Sequence, residues 1–220
     1  ELEVDAFRWP EVCVDLTTHW AGNFSELLTA VCAAAEGGRS LIGVAGLSEG
    51  AGATTLTLCL GRLAAQAGNT TVLVDGNFTD PSLATRLGLE VDSGWEQVLS
   101  GATPLASSVI HSEGDSLALL PLIAGGLRAS QQIDSIHASV TAGVLRYHYD
   151  LVLIDLGSVA GGGQTAVARK LAQQLRLDAC VLTSDQTDAG RLAQFAASVP
   201  ELAEVLLGVV ENQTILAAAG

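Results

Sequence analysis

Gly46-Leu47-Ser48-Glu49-Gly50-Ala51-Gly52-Ala53-Thr54-Thr55 decides how the rest of this chain is read. An apolar run, Ser40-Leu41-Ile42-Gly43-Val44-Ala45, precedes it, and Leu56 to Ala65 follows with the pattern of a helix. Strand, glycine loop, helix is the context in which backbone N–H groups turn inward and cradle phosphate oxygens, the helix N-terminus adding its positive dipole end. A phosphate-binding loop of this kind normally carries a lysine between the last glycine and the hydroxyl residue, where it reaches the outer phosphates. Ala53 stands at that position here.

Two further strands read outward from the loop end on an acid. Thr71-Val72-Leu73-Val74-Asp75 follows the helix and its Gly68-Asn69 stop, and Asp150-Leu151-Val152-Leu153-Ile154-Asp155 is the clearest buried strand of the chain. Gly94 to Gly101 reads as a short helix closed by glycine, Ser116 to Leu122 is another apolar run, and Ser130 is expected to cap a helix running to about Tyr147. A helix at Gln164–Leu175, a strand at Ala179–Thr183, a helix at Ala189–Ser198 and a strand at Val205–Val210 complete the alternation. Before the loop, Phe24, Leu27, Leu28 and Val31 have helical spacing. Strands alternating with helices predict a parallel sheet covered on both faces, with ligands beyond the carboxyl ends of the strands. The loop, Asp75, Asp155 and Asn212 all fall at that edge.

Composition narrows the partners. The chain has 220 residues, 49% of them hydrophobic but only 4% aromatic, so its core is built from aliphatic side chains. A formal net charge of −14, with ten Lys and Arg residues of which Lys170 is the one lysine, argues against nucleic acid and against an anionic membrane surface. The same field disfavours a polyanionic nucleotide unless local donors or Mg2+ offset it. Cys13, Cys32, Cys59 and Cys180 form no CxxC pair and read as buried thiols in a reducing compartment. The four histidines share no ligand spacing, the three tryptophans read as packing anchors, and no apolar run approaches the roughly 20 residues that cross a bilayer. With no methionine, the sequence is expected to be a piece of a longer protein.

Taken together, these elements resemble the P-loop ATPases of the ParA/MinD type, and most closely the cytoplasmic domain of bacterial tyrosine kinases that regulate exopolysaccharide export. The loop lines up with that family's S-S-x-P-G-E-G-K-S-T, keeping Gly50, Gly52 and the Thr54 hydroxyl. Val72 to Pro81 is similar to an apolar strand ending D-x-D-x-R-x-P, with Asn77 in place of the second acid and Thr79-Asp80 in place of the basic pair. Tyr149 to Asp155 resembles Y-D-x-V-I-I-D, Gly94 to Gly101 resembles G-L-x-x-V-L-x-G, and Gly208 to Asn212 resembles G-V-V-x-N. The resemblance spans about residues 22–214.

The resemblance implies an α/β fold, a P-loop NTPase-like three-layer sandwich with a mostly parallel central sheet of about seven strands. It implies a helical lead-in over residues 1–38, one domain over 39–214 and a tail over 215–220. Gly50, Ala51, Gly52, Ala53, Thr54 and Thr55 would hold the phosphates of ATP or ADP, Asn212 would meet the base, and Thr54 with Asp155 would hold Mg2+. Asp75 would assist the nucleophile if the site were active. Three departures weigh against activity: Ala53, a C-terminus without a tyrosine cluster, and the loss of both arginines of a ring-forming E-x-x-R-x-x-R helix, which aligns near Gly22, Ser25 and Leu28. The expectation is a degenerate, non-catalytic or weakly nucleotide-binding regulator in exopolysaccharide biosynthesis or export. Such a domain would be cytoplasmic, part of a membrane-anchored system, monomeric or weakly dimeric alone, and partnered by another protein of that system. The alternative is an active ATP-dependent tyrosine kinase or ParA/MinD-like ATPase with a lysine-free loop.

Overall fold

The computed structural model describes residues 2–123, 130–186 and 189–212. The strands are β1 (Leu2–Val4), β2 (Leu41–Gly46), β3 (Thr71–Asp75), β4 (Ile110–Ser112), β5 (Leu117–Leu120), β6 (Leu151–Ser158), β7 (Ala179–Ser184) and β8 (Leu206–Glu211). The helices are α1 (Glu11–His19), α2 (Ser25–Glu36), α3 (Ala53–Gln66), α4 (Leu83–Arg86), α5 (Trp95–Leu99), α6 (Ile136–His148), α7 (Gly162–Leu175), α8 (Ala189–Ser198) and α9 (Pro200–Ala203). One eight-stranded sheet runs β1-β4-β5-β3-β6-β2-β7-β8, and every pairing is parallel except β4 with β5.

The central strands are apolar on both faces because helices cover both. Val72 and Val74, Val152 and Ile154, Cys180 and Leu182 pack toward α5, α6, α7, α8 and α9. Their neighbours Leu73, Leu151, Leu153, Ala179 and Val181 pack toward α1, α2, α3 and α4. This period-2 division is what turns a continuous hydrophobic run into a buried parallel strand. Three layers result, as expected from the alternation of elements.

Four details depart from the sequence reading. The sheet has one strand more than expected, because Leu2–Val4 in the lead-in pairs with Ile110–Ser112 at the sheet edge. That strand is three residues long and largely exposed, too short to show a period. Val205–Val210, expected among the central strands, is the opposite edge, occupied by Leu206–Glu211 with a half-exposed pattern. Ser130 does not cap the helix before β6. A 3-10 turn at Gln131–Asp134 intervenes, α6 starts only at Ile136, and the N-cap residue Ser135 spends its hydroxyl on the Leu99 carbonyl at 2.9 Å. Trp20, read as a packing anchor, lies 58% exposed at the end of α1, whereas Trp95 is fully buried. Residues 213–220, which include the end of the expected domain and its tail, lie outside the described residues.

Candidate functional site

Sequence dictates the loop conformation directly. Gly50 (φ +76°) and Gly52 (φ +96°) adopt left-handed backbone that L-residues with a Cβ avoid, and Gly52 is the N-cap of α3, which begins at Ala53. The loop is pinned at its base by Leu47 N–H donating to the Thr183 carbonyl at 2.8 Å. At its side the Ser48 hydroxyl donates to Asp185 at 2.9 Å. Asp185 in turn accepts from Arg191 at 2.7 Å, so that arginine is committed to holding the loop's neighbour.

Above the carboxyl ends of the strands opens a cleft of about 590 Å3. One wall is the loop, with Glu49, Gly50, Ala51, Gly52, Ala53, Thr54 and Thr55. The facing wall comes from the chain after β3 and β6, with Asn77, Thr79, Asp80, Ser82, Arg86, Ser158 and Gln164. A second cavity, about 550 Å3, lies at the other end of the sheet against β4, β5 and α6, is lined mostly by apolar side chains and shares no residue with the loop.

Beneath the cleft lie the two acids. Asp75 ends β3, and its register partner Asp155 lies three residues before the end of β6, where the sequence reading had the strand stop; both are fully buried. Neither Asp75 oxygen is free: Oδ1 accepts from Asn77 N–H at 3.2 Å, and Oδ2 from Ser82 and Leu83 N–H at 2.9 and 3.0 Å. Burial, then the Asp155 charge, pushes the Asp75 carboxyl up to about 7 against the pull of those three N–H groups. Burial raises Asp155 as well, while the Thr54 hydroxyl and the Gly157 N–H draw it back down. Asp155 Oδ1 accepts from Gly157 N–H at 3.0 Å, but Oδ2 has no hydrogen-bond partner among the described residues.

That orphaned oxygen and the neighbouring Thr54 hydroxyl form a donor set of one carboxylate and one alcohol. It suits Mg2+ of the kind that completes its octahedron with waters and phosphate oxygens. These residues fit a Mg2+–phosphate group; the loop itself, with Ala53, does not supply the cation such a group normally meets. Lys170 cannot supply it, being held by Asp134 at 2.6 Å, and Arg62 lies over the Trp9 ring at 5.1 Å, away from the loop.

The cleft therefore gathers the six loop residues singled out from sequence. Asp75 and Asp155 lie under its floor and not in its lining. Asn212 lies beside the loop, its amide donating to the Ala51 carbonyl at 3.3 Å. Two lining residues had no motif to announce them. Gln164 is buried and bonds the Gly76 and Leu156 carbonyls at 3.0 and 2.6 Å, knitting the ends of β3 and β6 together. The Gly161-Gly162-Gly163 tract before it was the available signal. Arg86, at the end of α4, was signalled only by being one of ten basic residues.

No family model and no curated protein matches the sequence. Solved structures do match in fold. The chimerical protein CapA2B2 superposes with a TM-score of 0.78 at 20% identity, over 97% of this chain and 95% of that one. The VpsO kinase domain gives 0.72 at 22% identity, over 90% of this chain and all of that one. The septum site-determining protein MinD of Pyrococcus horikoshii, complexed with Mg-ADP, gives 0.62 at 20% identity, over 79% and 70%. At such identities the likeness is one of fold, shared with bacterial tyrosine kinase domains and with ATPases of the MinD type. No helix among the described residues is long and apolar enough to cross a membrane.

Proposed function

We propose that this chain is a degenerate P-loop domain of the exopolysaccharide-kinase lineage that regulates a membrane-associated polysaccharide system by protein contact, with negligible phosphoryl transfer. Ala53 carries this reading: it lines the cleft where a phosphate-binding loop of this type places its lysine, and a transition state that depends on charge stabilisation loses its principal donor there. One charge-assisted hydrogen bond is worth about 1.5–3 kcal/mol, roughly one to two decades in binding, and its loss costs the rate at least as much.

The tyrosines support the same reading. Tyr147 and Tyr149 precede β6, whereas the cleft lies past its other end. Eight strand residues separate the two ends, roughly 25 Å at about 3.3 Å per residue. The cleft of one molecule does not reach its own tyrosines. The domain is cytoplasmic in this reading, a monomer or weak dimer alone, and its acidic surface suits a protein partner with a basic face. Residues 39–214 form the domain in this reading, with the lead-in built onto it through Leu2–Val4 and the helices before the loop.

The orphaned Asp155 Oδ2 beside Thr54 favours a second reading, a slow ATPase completed by a basic residue from another subunit. Steady-state ATP hydrolysis and autophosphorylation assays decide between them. A rate indistinguishable from that of Asp155→Ala is expected, and a rate that disappears in Asp155→Ala overturns the proposal. Light scattering tests the assembly: a stable octameric ring formed without nucleotide contradicts the monomer or weak dimer.

A further inference from the structure

We propose that Arg86, reaching from the wall opposite the loop, is the phosphate-binding cation of this cleft, so that a di- or triphosphate is held between the α3 N-terminus and α4. The inference rests on the reading of the cleft as a P-loop descendant and adds the residue that replaces the loop's lost charge.

Among the described residues Arg86 is the only cationic side chain lining the cleft. It is also uncommitted. Its Nε donates to the Ser82 hydroxyl at 3.4 Å, a long bond within one turn of α4, and its Nη groups make no hydrogen bond or ion pair with a described residue. Its place in the cleft is what sets it apart, since Asp80 lines the same cleft and does not pair with it. Four other basic side chains are held in ion pairs away from the loop or beside it: Arg146 with Asp178, Arg169 with Glu201, Lys170 with Asp134 and Arg191 with Asp185. Arg86 is exposed and needs no partner for its own stability, but its charge reaches the buried Asp155 carboxyl at the floor of the site.

A second observation points to the same ligand. Asp155 Oδ2 is buried with no hydrogen-bond partner among the described residues, under the cleft and next to the cleft-lining Thr54, a donor pair that suits a divalent cation. The two features suit the two ends of one Mg2+–polyphosphate. The N–H groups at Gly50, Gly52 and the start of α3 face inner phosphate oxygens. The guanidinium offers its planar fork to the terminal phosphate, which it can grip in a bidentate manner. A ligand spanning both walls needs at least two phosphates. Nucleoside di- or triphosphates and inorganic pyrophosphate share that chemistry.

Calorimetric titration of the whole chain with ATP, ADP and pyrophosphate in the presence of Mg2+ tests this, alongside Arg86→Gln, Arg86→Lys and Arg39→Gln. Arg39 is exposed and lies outside the cleft, so its variant controls for net charge. The wild type is expected to bind at least one of the three, with Kd rising about 10- to 100-fold in Arg86→Gln. Arg86→Lys should fall between, and Arg39→Gln and the thermal midpoint of Arg86→Gln should be unchanged. Tighter binding of ATP or ADP than of pyrophosphate assigns a nucleotide, and equal binding assigns the phosphates alone. Unaltered binding in Arg86→Gln, or no binding by the wild type at millimolar ligand, overturns the inference. Hydrolysis measured in the same samples separates the two proposals: turnover by the wild type refutes the non-catalytic reading and leaves the Arg86 contact to be judged on Kd.

Discussion

Asp75 and Asp155 face each other across adjacent parallel strands at the carboxyl edge of the sheet, both buried, with Asp75 fully engaged by backbone N–H groups and Asp155 left with one open oxygen. The asymmetry separates their roles. Asp75 accepts from the turn that leads into α4 and thereby helps place Ser82 and Arg86, while Asp155 Oδ2 meets no partner among the described residues. Two such carboxyls do not both ionise easily without a cation between them.

Stability should therefore depend on pH through Asp75. Its carboxyl titrates at about 7 in the folded chain and near 4 when unfolded. Between those values the native state keeps a proton that the unfolded chain has lost, so stability is highest at the acidic end of the window and falls as pH rises toward 7. Asp75→Asn cannot ionise and should lack this slope. Relative to wild type it should gain up to about 4 kcal/mol between pH 4 and 7. Urea denaturation of both proteins across that range checks the sign.

Restoring the lysine should restore affinity. Ala53→Lys places a cation at the start of α3, facing the cleft, and should tighten ATP or ADP binding about 10- to 100-fold. Fluorescence titration with a labelled nucleotide measures it. No gain would mean that the cleft does not admit a polyphosphate in the P-loop manner.

Gly157 should tolerate no side chain. Its φ is +62°, and a Cβ there would stand 2.6 Å from Asn77 Cγ, the side chain that accepts from Thr79 and Asp80 in the facing wall. Gly157→Ala is expected to cost about 1–3 kcal/mol from backbone strain, with more from the clash. A thermal melt that matches wild type would contradict this packing.

Trp95 ties the core to the site. Its indole N–H donates to the Asp75 carbonyl at 2.8 Å, and its ring meets Phe78 edge-on at a centroid distance of 5.7 Å. Trp95→Phe removes the bond and leaves a void, costing roughly 1–3 kcal/mol. Chemical denaturation gives the number, and a loss below about 0.5 kcal/mol would show that the indole bond contributes nothing net.

Local sequence carries the alternation of strands and helices, the loop and the acids near the carboxyl ends of β3 and β6, because each is a local property. Apolar runs of the right length must be buried on two faces, and Gly50 and Gly52 alone permit the left-handed loop. It determined equally that Ala53 removes a charge. Which strands are neighbours, and hence that Asp75 and Asp155 form a pair, follows from long-range packing, since strand order depends on how helices pack and not on any one segment. Leu2–Val4 became a strand because Ile110–Ser112 offered it an edge. Gln164 and Arg86 came to face the glycine loop because parallel connections return every strand's end to one edge, gathering residues far apart in the chain. No local pattern marks a side chain for a site whose other half lies elsewhere in the sequence.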